Sequence, residues 1–124
     1  MRAGALRAVL ATALLASPAD GCRRAEANPV PGGDPARGGQ AFVAMGCASC
    51  HTVRGARGPH GQVGPELTDV ASRSYIAGVL PNTPENMVRW IMDPQGVDPR
   101  TAMPDLHVTE QGARDLAAYL YTRR

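Results

Sequence analysis

The stretch "MGCASCHTVRG", residues 45–55, sets Cys47, Cys50 and His51 in a C-x-x-C-H pattern. Two thiols one helical turn apart, with an imidazole directly after the second, narrow the chemistry to three classes. In a thioredoxin-like oxidoreductase the pair opens a helix that follows a strand, and the helix dipole lowers a thiol pKa. Here the pair follows a helix-like segment and precedes a glycine-rich loop, so that context is missing. A structural zinc site needs four ligands at workable spacing. The fourth would have to come from His60 or His107, and the adjacent Cys50 and His51 cannot easily share one tetrahedral ion.

The third class emerges from the flanking sequence. Asp34-Pro35 reads as an N-cap followed by proline at the first helical position, and a helix runs from Pro35 to about Met45, presenting Phe42 and Val43, until Gly46 ends it. Residues 46–83 contain six glycines, several prolines and no long periodic segment, with a short helix expected around Glu66–Arg73. Thr83-Pro84-Glu85 repeats the cap-and-proline start, and Met87, Val88 and Ile91 form a helical stripe that stops at Asp93-Pro94. An irregular stretch, Gln95–Val108, precedes a last helix from near Thr109 carrying Ala113, Leu116, Ala117 and Leu120 on one face. No strand pattern and no internal repeat stand out. Two long irregular loops in so small a domain need an organiser. With one Phe, one Trp and three Tyr, the chain has little bulk for a core of its own. A large flat apolar ligand answers both needs. C-x-x-C-H is the signature of covalent haem attachment, in which the thiols add to the vinyl groups as thioethers and His51 becomes the proximal iron ligand.

The second iron ligand must come from a separate segment. Met45 is too close to the attachment site to reach round the ring. Met87 lies on a helical apolar stripe and reads as core, Met92 as core or surface, and His60 and His107 as solvated loop histidines. Met103 stands apart in "DPRTAMPDL", a loop with prolines on both sides, and is the candidate; packing on the core is its alternative role.

The opening residues, "MRAGALRAVLATALLAS", combine Arg2 and Arg7 with an apolar run too short to span a bilayer, which is the pattern of an export signal. Residues 1–27 are read as leader, 28–33 ("NPVPGG") as a flexible linker and 34–124 as one domain. Two exits from the leader stay open: lipid attachment at Cys22 after Gly21, or ordinary cleavage near "AEA" at Ala25–Ala27, with Cys22 discarded. All 13 basic residues are arginine, and from Asn28 onward nine arginines face nine acidic residues. A domain that close to neutrality is a poor partner for nucleic acid.

These ordered motifs together resemble class I cytochrome c over about Asp34–Leu120. "CASCH" matches the attachment motif, "VGPEL" at 63–67 is similar to the family's G-P-x-L segment, and "WIMDPQGVDPRTAMP" at 90–104 resembles the helix and loop that deliver the axial methionine. "DLAAYL" at 115–120 resembles the C-terminal helix that crosses the N-terminal one, with Gly39 and Phe42 facing Tyr119. More narrowly, "SYIAGVLPNTPENMVRWIMDPQ" at 74–95 is similar to the cytochrome c domain fused to subunit II of some haem–copper oxidases. The 124 residues leave no room for the two-copper domain of such a subunit. The resemblance implies an all-α cytochrome c fold of three to four helices and long loops around one covalent haem c, and an iron held by His51 and Met103. It implies Pro65 as acceptor of the His51 Nδ1 proton, and Leu67 and Ile91 against the haem faces. Trp90 would sit near the methionine side, and Tyr75 and Thr101 would bond to the propionates. The function implied is electron transfer in the bacterial periplasm rather than enzymatic turnover. The implied partners are redox proteins such as a quinol-oxidising complex or a terminal oxidase. The alternatives are a haem subunit of a larger membrane oxidoreductase, or a gas-binding haem protein whose Met103 dissociates.

Overall fold

A computed structural model describes residues 28–124; the leader and Cys22 lie outside the described residues. Four α-helices carry the fold: α1 (Pro35–Ala44), α2 (Pro84–Met92), α3 (Pro94–Val97) and α4 (Glu110–Tyr121). Their starts are chemical. Asp34, Thr83, Asp93 and Thr109 each accept a backbone N–H of the first turn through a side-chain oxygen, and proline opens three of the four. Asp93 both stops α2 and caps α3. The single turn of α3 falls in the stretch expected to be irregular, because four residues are too few to show a period.

The fold pivots on the crossing of α1 and α4. Gly38 and Phe42, spaced i and i+4, form the buried stripe of α1, and Phe42 meets Tyr119 with ring centroids 5.6 Å apart. Val43 lies about 100° round the helix from Phe42 and is exposed rather than core. On α4 the expected stripe of Ala113, Leu116, Ala117 and Leu120 is buried, but so are Asp115, Ala118, Tyr119 and Tyr121, because α1 and α2 pack on it from different sides.

Three further departures have local causes. The helix expected around Glu66–Arg73 is only a 3₁₀ turn, Val70–Ser72, because Asp69 adopts φ 57° and Leu67 N–H is already bonded to Thr52 O. A hairpin of two-residue strands, β1 (Tyr75–Ile76) and β2 (Leu80–Pro81), pairs Ile76 with Leu80. Residues 28–33 are no flexible linker: Val30 is 1% exposed, and Gln111 and Arg114 of α4 donate to the carbonyls of Gly32 and Pro31.

Asp115, 5% exposed, holds this docked N-terminal turn and α1 to α4. It takes Arg37 in a two-pronged pair at 2.8 and 2.9 Å, the Asp34 N–H at 2.8 Å and Gln111 Nε2 at 3.0 Å. The Arg37 bonds, aided by the other donors, hold its carboxyl below the usual carboxylate range against the cost of burial. Its stabilisation is therefore complete above the unfolded-state pKa of about 3.9 and is lost as pH falls through the lower folded-state value. Asp115→Asn is expected to cost about 2 kcal/mol at pH 7, the scale of hydrogen bonds to a charged group. In denaturant titrations, wild type loses stability more steeply than the variant below pH 4; parallel curves would sink the assignment.

Candidate functional site

Gly46, at φ 77°, ends α1 and turns the chain into a 3₁₀ turn, Cys47–Ser49. The Cys50 and His51 N–H groups both donate to Cys47 O, at 3.2 and 3.0 Å, so one turn of backbone delivers Cys47, Cys50 and His51 to one wall. Both cysteines are free. Burial pushes the Cys47 thiol up, with the Cys50 charge adding to it; a thiol–disulfide nucleophile needs the reverse. Among the described residues no group of three or more His, Cys, Asp and Glu side chains is gathered that could hold a metal ion.

His51 Nδ1 lies 2.7 Å from Pro65 O. A carbonyl only accepts, so His51 Nδ1 donates in this bond, which leaves Nε2 as the ring nitrogen turned to other partners. Gly64 makes this approach possible: a Cβ there would lie 2.4 Å from His51 Cε1 and 2.6 Å from Nδ1.

His51 faces a cavity of about 540 Å³, within the roughly 300–1,000 Å³ typical of cofactor clefts. Each residue that the family resemblance assigned to the haem site lines it: Cys47, Cys50, His51, Pro65, Leu67, Tyr75, Trp90, Ile91, Thr101 and Met103. Ile91 is buried, Leu67 and Trp90 pack partly buried against the core, and Tyr75 is an exposed rim residue rather than a core aromatic. Met103 enters on a braced loop: its N–H donates to Thr101 Oγ1 at 3.2 Å, and Gln95 Nε2 donates to its carbonyl at 3.3 Å. His60 and His107 are exposed, and His107 pairs with Asp105 at 3.2 Å.

Sequence reasoning missed several wall residues. Met87 serves the core and the cavity at once, as do Phe42, Leu116 and Leu120. Val70 and Arg73 also line it; they sit on the non-periodic 3₁₀ segment, where no spacing signal could mark them. The residues present fit a covalent porphyrin. Two thiols and an imidazole stand on one wall, a thioether arrives from a separate segment, and the walls are mostly apolar.

Comparison with known proteins agrees with this geometry. The family model described as cytochrome c matches residues 35–123. Two cytochrome c oxidase subunit 2 proteins are similar. That of Alkalihalophilus pseudofirmus is 36% identical over 85 residues, covering 68% of this chain and 24% of its own length. That of Bacillus sp. strain PS3 is 34% identical over 89 residues, covering 68% and 25%. The chain thus spans about a quarter of the length of these curated relatives. Among solved structures, cytochrome c2 of Rhodobacter sphaeroides aligns with a TM-score of 0.56 at 22% identity, over 73% of this chain and 96% of that one. Cytochrome c2 of Rhodobacter capsulatus aligns at 0.53 and 25% identity, over 71% and 96%. These two show the shared fold of helices around the cavity. With the family model running from the first helix to the last and the attachment residues gathered on one cavity wall, the chain belongs to the cytochrome c family, whose haem c is bound covalently, here through Cys47 and Cys50.

Proposed function

We propose that this cytochrome c carries single electrons in the bacterial periplasm, in a respiratory chain, with its iron held between His51 and Met103. The observation that carries the reading is the 2.7 Å approach of His51 Nδ1 to Pro65 O, beside a cavity that Met103 also lines. Bound haem supplies a one-electron couple. The chain's own residues set where that couple lies. The Pro65 carbonyl fixes the His51 tautomer and strengthens its donation. Thr101 and Gln95 hold the Met103 backbone, and a thioether ligand favours the ferrous state. Leu67, Met87, Ile91 and Leu106 keep water from the cavity and disfavour the extra ferric charge. Were His51 and Met103 both to hold the iron, no coordination position would be left for a substrate, and the chain would pass electrons rather than turn a substrate over. Tyr75 and Thr101 are assigned to the propionates, and Trp90 to the methionine side.

The partners this reading implies are redox proteins such as a quinol-oxidising complex or a terminal oxidase. The two oxidase-subunit relatives favour a second reading, a haem subunit working inside a larger oxidoreductase. A lipid anchor at Cys22 suits either; among the described residues no helix is long and apolar enough to cross a membrane. The test is expression with the native leader in a bacterium that attaches haem. Coloured protein is expected in the periplasmic fraction, with a ferric spectrum carrying the weak red band of sulfur–iron bonding. Colour confined to the cytoplasm overturns the location, and a missing band overturns the ligand set.

A further inference from the structure

The segment bearing His51 and the segment bearing Pro65 form a short ribbon. Gly64 N–H donates to Cys50 O at 2.8 Å, His51 Nδ1 to Pro65 O at 2.7 Å, and Leu67 N–H to Thr52 O at 2.8 Å. The rung that closes it is not backbone to backbone: Arg54 N–H donates to the hydroxyl of Thr68 at 2.8 Å. Thr68 is 7% exposed, one of only two buried polar or charged residues among those described; the other, Asp115, is explained by its ion pair. One residue on, Asp69 N–H donates to Arg123 O at 2.7 Å, which ties the ribbon to the end of α4. Asp69 at φ 57° turns the chain away, so no further rung forms beyond Thr68.

We propose that Thr68 is a positioning residue for the proximal ligand: its hydroxyl closes the ribbon and thereby holds the Pro65 carbonyl against His51. The inference rests on His51 as an iron ligand, part of the reading above. A carbonyl drawn close to Nδ1–H pulls electron density onto the imidazole and stabilises the ferric state. Without the Thr68 hydroxyl, Arg54 N–H loses its acceptor and the open end of the ribbon frays. The His51–Pro65 bond then lengthens, and the ferric state loses part of its support.

The test uses haem-loaded wild type, Thr68→Val, which keeps the shape and removes the acceptor, and Thr68→Ser, which restores it. Three quantities are measured: the midpoint potential, hydrogen exchange of the His51 Nδ1 proton in the ferrous protein by NMR, and the ferric red band. Thr68→Val is expected to raise the midpoint and to speed that exchange at least tenfold, with the red band retained, and Thr68→Ser to return both toward wild type. A Thr68→Val protein with unchanged midpoint and exchange overturns the proposal, even if its denaturation midpoint falls, since lost stability alone is what a merely structural hydroxyl gives. If Thr68→Val does not accumulate, Thr68→Ala, which also lacks the acceptor, decides by the same readouts: a raised midpoint with faster exchange supports the proposal, and an unchanged midpoint and exchange overturn it. Failure of the underlying ligand reading is distinct: wild type itself would lack a slowly exchanging His51 proton or the red band.

Discussion

Replacing Met103 by alanine in the haem-loaded protein is expected to erase the weak red band of the ferric spectrum and to lower the midpoint potential by on the order of 0.1 V or more, within the roughly 0.8 V over which axial ligands set haem potentials. The loop gives the variant a clean interpretation. Met103 N–H is held by Thr101 Oγ1 at 3.2 Å, its carbonyl by Gln95 Nε2 at 3.3 Å, and Pro104 follows it. None of these constraints involves the thioether. Alanine therefore removes the sulfur while leaving its scaffold standing, and the ferrous protein should bind carbon monoxide readily where wild type does so poorly. The competing role, a loop methionine packed on the core, predicts a different result. Spectrum and midpoint would stay put, and only the denaturation midpoint would fall, by the lost burial of a half-exposed side chain. That outcome would refute ligation by Met103.

Much of this site was legible because its elements are marked by side chains that act locally. Asp34 and Thr83 with their following prolines announce α1 and α2, since a cap satisfies backbone groups whatever the rest of the chain does. Cys47, Cys50 and His51 lie within one turn, so their convergence needs no long-range information. Met103 stood out in the sequence by its proline-flanked loop and by the family resemblance, yet Met45 and Met87, read there as too near the attachment site and as core, line the same cavity.

The remainder depends on contacts between distant segments. Residues 28–33 look like a linker by composition, yet Val30 is buried because α4, some eighty positions away, receives it. The left-handed turn at Asp69 and the ribbon bond to Thr52 cut the expected helix before Arg73 to a single 3₁₀ turn. Tyr121 shows the same limit. Its hydroxyl donates to Asn82 at 2.6 Å, and burial, with Glu85 nearby, pushes its pKa up to about 12. Asn82 in turn donates to the carbonyls of Val70 and Arg73 on the cavity wall. No spacing rule connects residues 70, 82 and 121.

Gly38 should tolerate no side chain at the crossing of α1 and α4, and its neighbour Gly39 provides the control. A Cβ at Gly38 would lie 1.9 Å from the backbone oxygen of Asp115 and 2.7 Å from Tyr119 Cβ. Neither obstacle can rotate aside, so α1 and α4 would have to separate along their whole crossing. At Gly39 the Cβ would meet only the Tyr119 ring, at 3.0 and 3.1 Å, and a ring edge can shift by a few tenths of an ångström. Both substitutions gain the same helix propensity, about 1 kcal/mol. For Gly39→Ala that gain offsets the crowding, and the net change should stay within about 1 kcal/mol. For Gly38→Ala the overpacking should exceed the usual range of about 1–3 kcal/mol, leaving a net loss of about 2 kcal/mol or more. Because Phe42, Leu116 and Leu120 line the cavity from that same crossing, the damage should reach function, with Gly38→Ala accumulating little haem-loaded protein under conditions where Gly39→Ala accumulates normally. Denaturation of the two variants side by side checks the difference. Equal stabilities would mean that the close approach of α1 to α4 at Gly38 does not limit the fold.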